Sequence, residues 1–150
     1  MRQSAGTMRM KENISCVLRH RITREILDQW EVCNDIVTTG KEYMARISSG
    51  NSANLFRYIA IGTGDTAVAA GDTGLETEVN RALATNTYEA SNKHKLVYEF
   101  TFDSNDSYAI TEIGVFDAAS TGHMLNRSVF TARDVDIETS LECTVRITFA

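Results

Sequence analysis

The residues that most constrain the fold are 141–149, LECTVRITF, where apolar and polar side chains alternate without a break. The apolar positions are Leu141, Cys143, Val145, Ile147 and Phe149. In a β-strand successive side chains point to opposite faces, so this run places all five apolar groups on one face. The pattern predicts a half-buried strand over these nine residues.

Strand-like runs recur at short intervals along the chain. They span residues 14–22, 25–37, 55–61, 81–90, 96–102, 108–116, 124–130 and 141–149. The first two are separated by a short turn near Thr23 and Arg24, which predicts a β-hairpin. Because proline is absent, the turns depend on Gly, Asn, Asp and Ser. So many short strands predict an all-β, mainly antiparallel fold of the β-sandwich type.

The hydrophobic period changes once, after residue 38. Thr39 and Glu42 have the spacing of a capping box, and Gly50 provides a helix stop. Apolar residues follow at helical spacing between them: Tyr43, Met44 and Ile47. The sequence therefore predicts one short helix, at about residues 40–49, that closes one end of the sandwich.

Residues 1–12 show no periodicity and are small, polar or basic. We expect a flexible N-terminal arm over this segment and a single sandwich domain over residues 13–150. The arm has no apolar segment after its basic residues, so it does not resemble a secretory signal. Its basic side chains, Arg2, Arg9 and Lys11, are the expected contacts with a partner chain.

The charge distribution argues against two classes of partner. The net charge is −5, and no window is strongly basic, so nucleic acid is not expected as a partner. No apolar run approaches the ~20 residues that cross a bilayer, so no membrane association is expected. The densest basic cluster is Arg19, His20, Arg21 and Arg24, which we interpret as a solvated strand edge or tip. The three cysteines, Cys16, Cys33 and Cys143, have no close spacing and are interpreted as buried thiols.

The glycine-rich stretch GTGDT follows the strand-like run at residues 58–61. A phosphate-binding P-loop requires a lysine after its last glycine, and no lysine occurs between Tyr58 and Leu83. Gly62, Gly64 and Ala67 match the dinucleotide fingerprint formally. However, Gly71 and Gly74 would break the helix that this fingerprint must open. The stretch is better interpreted as a turn that leaves a central strand.

No credible catalytic set, metal site or cofactor site emerges from the sequence. The three histidines, His20, His94 and His123, are far apart, which argues against zinc. Asp134, Asp136 and Glu138 alternate and are interpreted as a solvated edge, with calcium binding near Asp134 and Asp136 left open. Glu76 and Glu78 are interpreted as partners of a nearby arginine rather than as a glycosidase pair. No enzyme activity and no cofactor are expected.

Five short segments occur in an order that resembles a family of tailed-phage virion proteins, of the tail-fibre or minor structural type. They are Asn34–Gly40, Tyr58–Gly64 (YIAIGTG), Leu75–Arg81 (LETEVNR), Thr111–Asp117 (TEIGVFD) and Leu125–Arg127 (LNR). The resemblance implies a non-enzymatic structural protein located in the virion and assembled in the host cytoplasm. Its expected partners are copies of itself, in a trimer or a ring, and other virion proteins.

The position on the particle stays open. We expect no shaft-like extension after the last predicted strand, which favours a tail, neck or baseplate adaptor, or a capsid decoration or head-spike protein. A second alternative is a host-surface module that binds glycans. Aromatic side chains such as Trp30, Tyr88 or Tyr108, exposed on one patch, would favour that alternative.

The motif residues also allow a physical interpretation. Glu78 and Arg81 can pair if residues 75–82 form a helical turn, and Glu112 or Arg127 is the alternative partner if the strands lie side by side. Such a pair would anchor the loop to the sheet. Gly62 and Gly64 are assigned to the turn. Gly114, inside a strand, predicts a bulge or a close backbone approach.

Overall fold

A computed structural model of the chain describes residues 9–34, 36–51 and 54–149. Nine strands and one helix follow in the order β1 (Met10–His20), β2 (Ile26–Asn34), α1 (Thr38–Ser48), β3 (Tyr58–Gly62), β4 (Glu78–Leu83), β5 (Thr85–Glu89), β6 (Lys93–Thr101), β7 (Tyr108–Phe116), β8 (Met124–Val135) and β9 (Thr139–Phe149). The predicted all-β class is confirmed. The predicted arm, residues 1–12, lies largely outside the described residues, and its last three residues belong to β1.

The strands form two antiparallel sheets that pack face to face. The larger sheet has the order β2-β1-β9-β6-β5, and the smaller has the order β4-β3-β7-β8. The alternating run at the C-terminus is β9, at the centre of the larger sheet, where it pairs with both β1 and β6. On its inner face Leu141, Cys143, Val145 and Ile147 are buried, as the alternation predicts, and Phe149 at the end of the strand is partly buried. The prediction of a β-sandwich is therefore confirmed.

The first two strands form the predicted hairpin, but its turn exposes a residue that the alternation placed in the core. Ile22 lies in the turn and is 81% exposed. The ring nitrogen Nδ1 of His20 accepts hydrogen bonds from the backbone N–H groups of Ile22 and Thr23. Arg24 adopts a left-handed backbone conformation, with φ 64°. The turn therefore begins at Arg21, two residues before the position near Thr23 that the hydrophobic pattern indicates.

The basic cluster lies at the predicted strand tip, where its charges are balanced. Arg19 pairs with Glu142 at 3.4 Å, and Arg24 pairs with Glu99 at 2.5 Å. Arg21 donates to the backbone oxygen of Phe102. These contacts link the β1–β2 turn to β9 and β6. The cluster therefore joins strands of the larger sheet.

Helix α1 begins at Thr38, and the predicted capping box is wrong. Val37 occupies the N-cap, and no side chain caps the helix. Glu42 does not reach back toward Thr39 but pairs with Arg46 at 3.0 Å. The helix start is instead fixed by tertiary contact, because the N–H of Val37 donates to the backbone oxygen of Leu125. The predicted stop at Gly50 fits its φ of 76°, a conformation that favours glycine.

Two of the three cysteines are buried, as predicted. Cys16 and Cys143 lie opposite each other on β1 and β9. The prediction is wrong for Cys33, which is exposed on the edge strand β2. Alternation locates a residue on a face but does not indicate whether that part of the face is covered.

No helix in the described part of the chain is both long and apolar enough to cross a membrane. The single helix, α1, has eleven residues, which is short of the ~20 that a span requires.

Glu12 is a charged residue on the inner face of β1, and burial works against its charge. Its side chain lies among the buried positions of the larger sheet, and neither carboxylate oxygen has a hydrogen-bond partner among the described residues. Burial raises the pKa of this carboxyl well above its ordinary value. A raised pKa in the folded state means that stability is present at low pH and is lost as the pH rises.

We expect Glu12→Gln to make the protein more stable than the parent at pH 8, with the difference shrinking toward pH 4. Each unit of pKa shift corresponds to about 1.4 kcal/mol. Urea unfolding from pH 4 to pH 8 measures the effect, with Glu25→Gln in the exposed turn as the control. Parallel pH curves for the parent and Glu12→Gln would contradict the interpretation.

Candidate functional site

The segment 63–77, which contains the glycine-rich stretch, folds over the outer face of the smaller sheet. Leu75 packs against a small buried cluster on that face, formed by Val37, Ala60, Phe116 and Met124. This cluster is separate from the main core between the sheets. The smaller sheet is therefore covered on both faces, which explains the unbroken burial of β3 from Ile59 to Gly62.

The Glu112 carboxylate is the anchor of this segment. It is fully buried on β7 and accepts four hydrogen bonds. Oε1 accepts the backbone N–H groups of Gly64 at 3.0 Å and Thr77 at 2.8 Å. Oε2 accepts the backbone N–H of Glu76 at 3.0 Å and Nε of Arg127 at 2.8 Å. We name these five residues the Glu112 network.

Arg127 extends the Glu112 network toward the outside. Its side chain lies on β8 and is 3% exposed. Nη1 contacts Asp72 at 3.2 Å, and Nη2 contacts Glu76 at 3.5 Å. Three carboxylates therefore surround one guanidinium, the donor that matches planar carboxylates best.

The pKa of Glu112 is set by two opposing effects. Burial alone would raise it. The N–H donors of Thr77, Glu76 and Gly64, together with Arg127, outweigh burial and lower the pKa below its ordinary value. The pKa of Arg127 is raised: burial opposes the charge, but Glu112 and Asp72 favour it more strongly. Both groups are therefore ionised in the folded protein near neutral pH.

The glycines of the motif leave room for this carboxylate. A Cβ on Gly64 would lie 2.7 Å from Oε1 of Glu112, and a Cβ on Gly62 would lie 2.5 Å from the same atom. Gly114 approaches the backbone oxygen of Asn126, which would be 2.8 Å from a Cβ. The predicted close backbone approach at Gly114 is present, and the strand register does not shift at this residue.

Arg81 forms a second clamp on the same sheet. It makes a two-pronged ion pair with Glu78, with Nε and Nη2 at 2.8 and 2.6 Å from the carboxylate. Nη1 donates to the backbone oxygens of Ala118 and Thr121, and the guanidinium lies 3.6 Å from the ring centre of Phe116. Arg81 therefore ties β4 to the turn between β7 and β8.

The Glu78–Arg81 pair does not depend on the helical turn that the spacing suggested. Both residues lie on strand β4, and a register shift opposite Ile61 and Gly62 leaves Val79 as an extra residue. Residues three apart on a regular strand face opposite sides, and a bulge of one residue restores them to one side. The predicted pair is thus formed through a β-bulge.

The other predicted site residues have ordinary structural positions. Asp136 lies in the β8–β9 turn, where its carboxylate accepts the N–H of Glu138 at 2.9 Å. Within residues 9–34, 36–51 and 54–149, no group of three or more His, Cys, Asp or Glu side chains could hold a metal ion. Lys11 is exposed at the start of β1. Arg2 lies outside the described residues.

An apolar cleft that the sequence did not indicate opens at the end of the sandwich near α1. Its volume is about 430 Å³. Apolar side chains from β1, α1, the 54–57 segment and β9 form most of its wall: Met10, Met44, Ile47, Leu55, Phe56 and Phe149. On one side Asn86 and His94 are hydrogen-bonded to each other. The one sequence signal was the apolar helix face at Met44 and Ile47, because the other walls come from distant strands.

No protein-family model matches this chain, and a comparison with curated proteins finds no significant match. The functional interpretation therefore depends on the motif segments and on the geometry that they build.

Loss of the Glu112 charge is expected to destabilise the fold. It should also make the free energy of unfolding depend less on pH below neutrality. Glu112→Gln leaves Arg127 without its buried counter-ion, which costs about 3–5 kcal/mol near pH 7. Because the folded pKa lies below its ordinary value, the stabilisation is present above that value and is lost as the pH falls through the folded pKa. Urea unfolding between pH 7 and pH 3 tests this. Glu31→Gln, at an exposed position on β2, is the control. A Glu112→Gln variant as stable as the control would contradict the role of the network.

Two glycines of the loop segment, Gly64 and Gly71, are expected to respond differently to an added methyl group. Gly64→Ala forces a Cβ against Glu76 and Glu112 and should cost about 1–3 kcal/mol. Gly71→Ala meets nothing within 4 Å and is the matched control. Thermal unfolding together with hydrogen exchange at the amide of Thr77 measures both effects. Equal stabilities would show that the close approach at Gly64 carries no constraint.

Proposed function

We propose that this chain is a non-enzymatic structural component of a tailed-virus particle. In this proposal it is a fibre or adaptor protein of the tail, neck or baseplate that self-associates and docks onto other virion proteins. Its position as a capsid decoration or head spike is the alternative.

The observation that carries the proposal is the convergence of the motif segments on one sheet. The segment 58–64 contributes Gly64, and the segment 75–81 contributes Thr77 and Arg81. The segments 111–117 and 125–127 contribute Glu112 and Arg127. The segment 34–40 joins them through Gly40 and Val37, which contact the backbone of Leu125. The residues of the motif segments thus hold loops against the smaller sheet.

This use of the motif fits a structural role better than a catalytic one. A general acid or base needs a free proton-transfer position in a cleft. Here every carboxylate oxygen of Glu112 is occupied by donors from the backbone or from Arg127. A rigid loop of this kind is suited to presenting a fixed surface to another protein.

The edges of the two sheets offer surfaces for such contacts. The edge strand β5 exposes Tyr88, which is 81% accessible, and the adjoining edge strand β4 exposes Leu83 at 55%. Edge strands carry unpaired backbone groups on one side and can pair with another chain. Self-association at these edges is consistent with the expected trimer or ring.

The glycan-binding alternative gains no support from the aromatic residues that would favour it. Trp30 lies on β2 and Tyr88 on β5, at opposite edges of the larger sheet, while Tyr108 lies on the smaller sheet. Trp30 is also covered by Phe130 and Arg133. These three side chains form no common patch, so we do not propose glycan binding as a second function.

The proposal predicts that the chain is oligomeric in isolation and is retained in purified particles. Light scattering of the purified chain gives the oligomeric state. Mass spectrometry and cryo-electron reconstruction of particles assembled with a tagged chain give its location. A monomeric chain that is absent from purified particles would contradict the proposal. Gly71→Ala, which meets no neighbour, is a control expected to assemble normally.

A further inference from the structure

The apolar cleft at the α1 end has the size and the composition of a small-molecule site. Its volume of about 430 Å³ lies within the ~300–1,000 Å³ that such sites commonly have, and a mostly apolar wall is typical of them. Among the described residues that line the cleft there is no Asp, Glu, Lys or Arg. The wall therefore favours a molecule without net charge, because a charge would lose its hydration there without gaining a partner.

One side of the cleft carries a pair of polar side chains, Asn86 on β5 and His94 on β6. Asn86 lies opposite Leu96, two residues from His94 along β6, so the two side chains are diagonal neighbours on one face of the larger sheet. Nε2 of His94 is hydrogen-bonded to Oδ1 of Asn86. Because a carbonyl oxygen can only accept, the ring proton is on Nε2. Burial lowers the pKa of His94, so the ring is neutral near pH 7 and its Nδ1 is an acceptor.

This pair leaves one acceptor and one donor unused. Within residues 9–34, 36–51 and 54–149, neither Nδ1 of His94 nor Nδ2 of Asn86 makes another hydrogen bond. Both residues line the cleft. A hydroxyl group can serve both atoms, because it donates through its hydrogen and accepts through its oxygen. A ketone would serve only the donor, and an ammonium group would serve only the acceptor.

A peptide segment fits this cleft less well than a small molecule does. Each residue of an extended chain brings an N–H and a C=O group that need partners. The described part of the wall offers a single polar pair, so burial of a peptide backbone there would leave most of its polar groups unsatisfied. An aromatic ring brings no such groups, and it can pack against the rings of Phe56, Tyr88 and Phe149 on the wall.

We propose that the cleft is a binding site for a neutral, mainly apolar small molecule with one hydroxyl group, of the alkylphenol type. The hydroxyl donates to Nδ1 of His94 and accepts from Nδ2 of Asn86. The apolar part of the molecule lies against Met10, Met44 and Phe149. This inference goes beyond the proposed function and does not rest on it.

Titration with para-ethylphenol, followed by the methyl NMR signals of the methionines, tests the site directly. The signals of Met10 and Met44 should shift and saturate, because both side chains line the cleft. Met124 is buried in the separate cluster on the outer face of the smaller sheet, so its signal should not move. Leu55→Trp places a larger side chain in the cleft and should abolish the shifts. Leu27→Trp, at an exposed position on β2, is the control and should leave them unchanged.

The matched ligand is para-ethyltoluene, in which a methyl group of similar size replaces the hydroxyl. Loss of the hydrogen bonds of the hydroxyl should weaken binding roughly tenfold, although this compound is the more apolar of the two. His94→Leu should remove the preference for para-ethylphenol and leave the affinity for para-ethyltoluene unchanged. Thr87→Val, on the opposite face of β5 from Asn86, is the control variant and should keep the preference.

Three results would overturn the proposal. If the signals of Met10 and Met44 do not move up to the solubility limit of para-ethylphenol, the cleft is closed to such a ligand, for example by another part of the chain or by a second copy. Shifts that persist in Leu55→Trp place the binding elsewhere. Equal or tighter binding of para-ethyltoluene contradicts the role of His94 and Asn86. Oligomeric state and incorporation into particles are separate measurements, so none of these results decides the proposed function.

Discussion

The buried carboxylate of Glu112 is the constraint on which the smaller sheet and its loops depend. An ion in a protein interior costs several kcal/mol of lost hydration unless donors replace the water. Here one guanidinium and three backbone N–H groups replace it, and the N–H groups come from residues 64, 76 and 77. The charge is satisfied only when the segment 63–77 is in place. Ordering of the loop and burial of the sheet therefore occur together.

The same segment also connects the sheet to the helix. The backbone oxygen of Ala70 accepts the N–H of Thr38, at the start of α1, and Val37 is bonded to Leu125 on β8. The first turn of a helix leaves N–H groups without helical partners. In this protein a strand and the loop accept two of them, those of Val37 and Thr38, where no side chain caps the helix. The helix thus begins before Thr39, so Thr39 does not occupy the N-cap position that the capping-box pattern at Thr39 and Glu42 requires.

The sequence predicted the elements well and their connections poorly, for a physical reason. Alternation depends on the strand alone, so the hairpin, the C-terminal strand and the sandwich class followed from it. Glu112 and Arg127 were named only as alternative partners for the Glu78–Arg81 pair, and the sequence did not indicate that they pair with each other. The donors to Glu112 could not be identified, because backbone N–H groups look the same at every position. The bulge that joins Glu78 to Arg81 likewise depends on the pairing of β4 with β3, and the exposure of Ile22 and Cys33 depends on the tertiary structure that surrounds them.

The structure separates two kinds of surface, and this separation bears on how such a protein could work. The motif residues Glu112, Arg127 and Arg81 anchor the loops of the smaller sheet through hydrogen bonds made within the chain. The α1 end has the opposite character, because Leu55 and the neighbouring apolar groups remain accessible there. A molecule that binds such a surface only in the folded state stabilises that state. Burial of the surface at the α1 end breaks none of the contacts that Glu112 and Arg127 make, because the residues of the cleft are not part of that network.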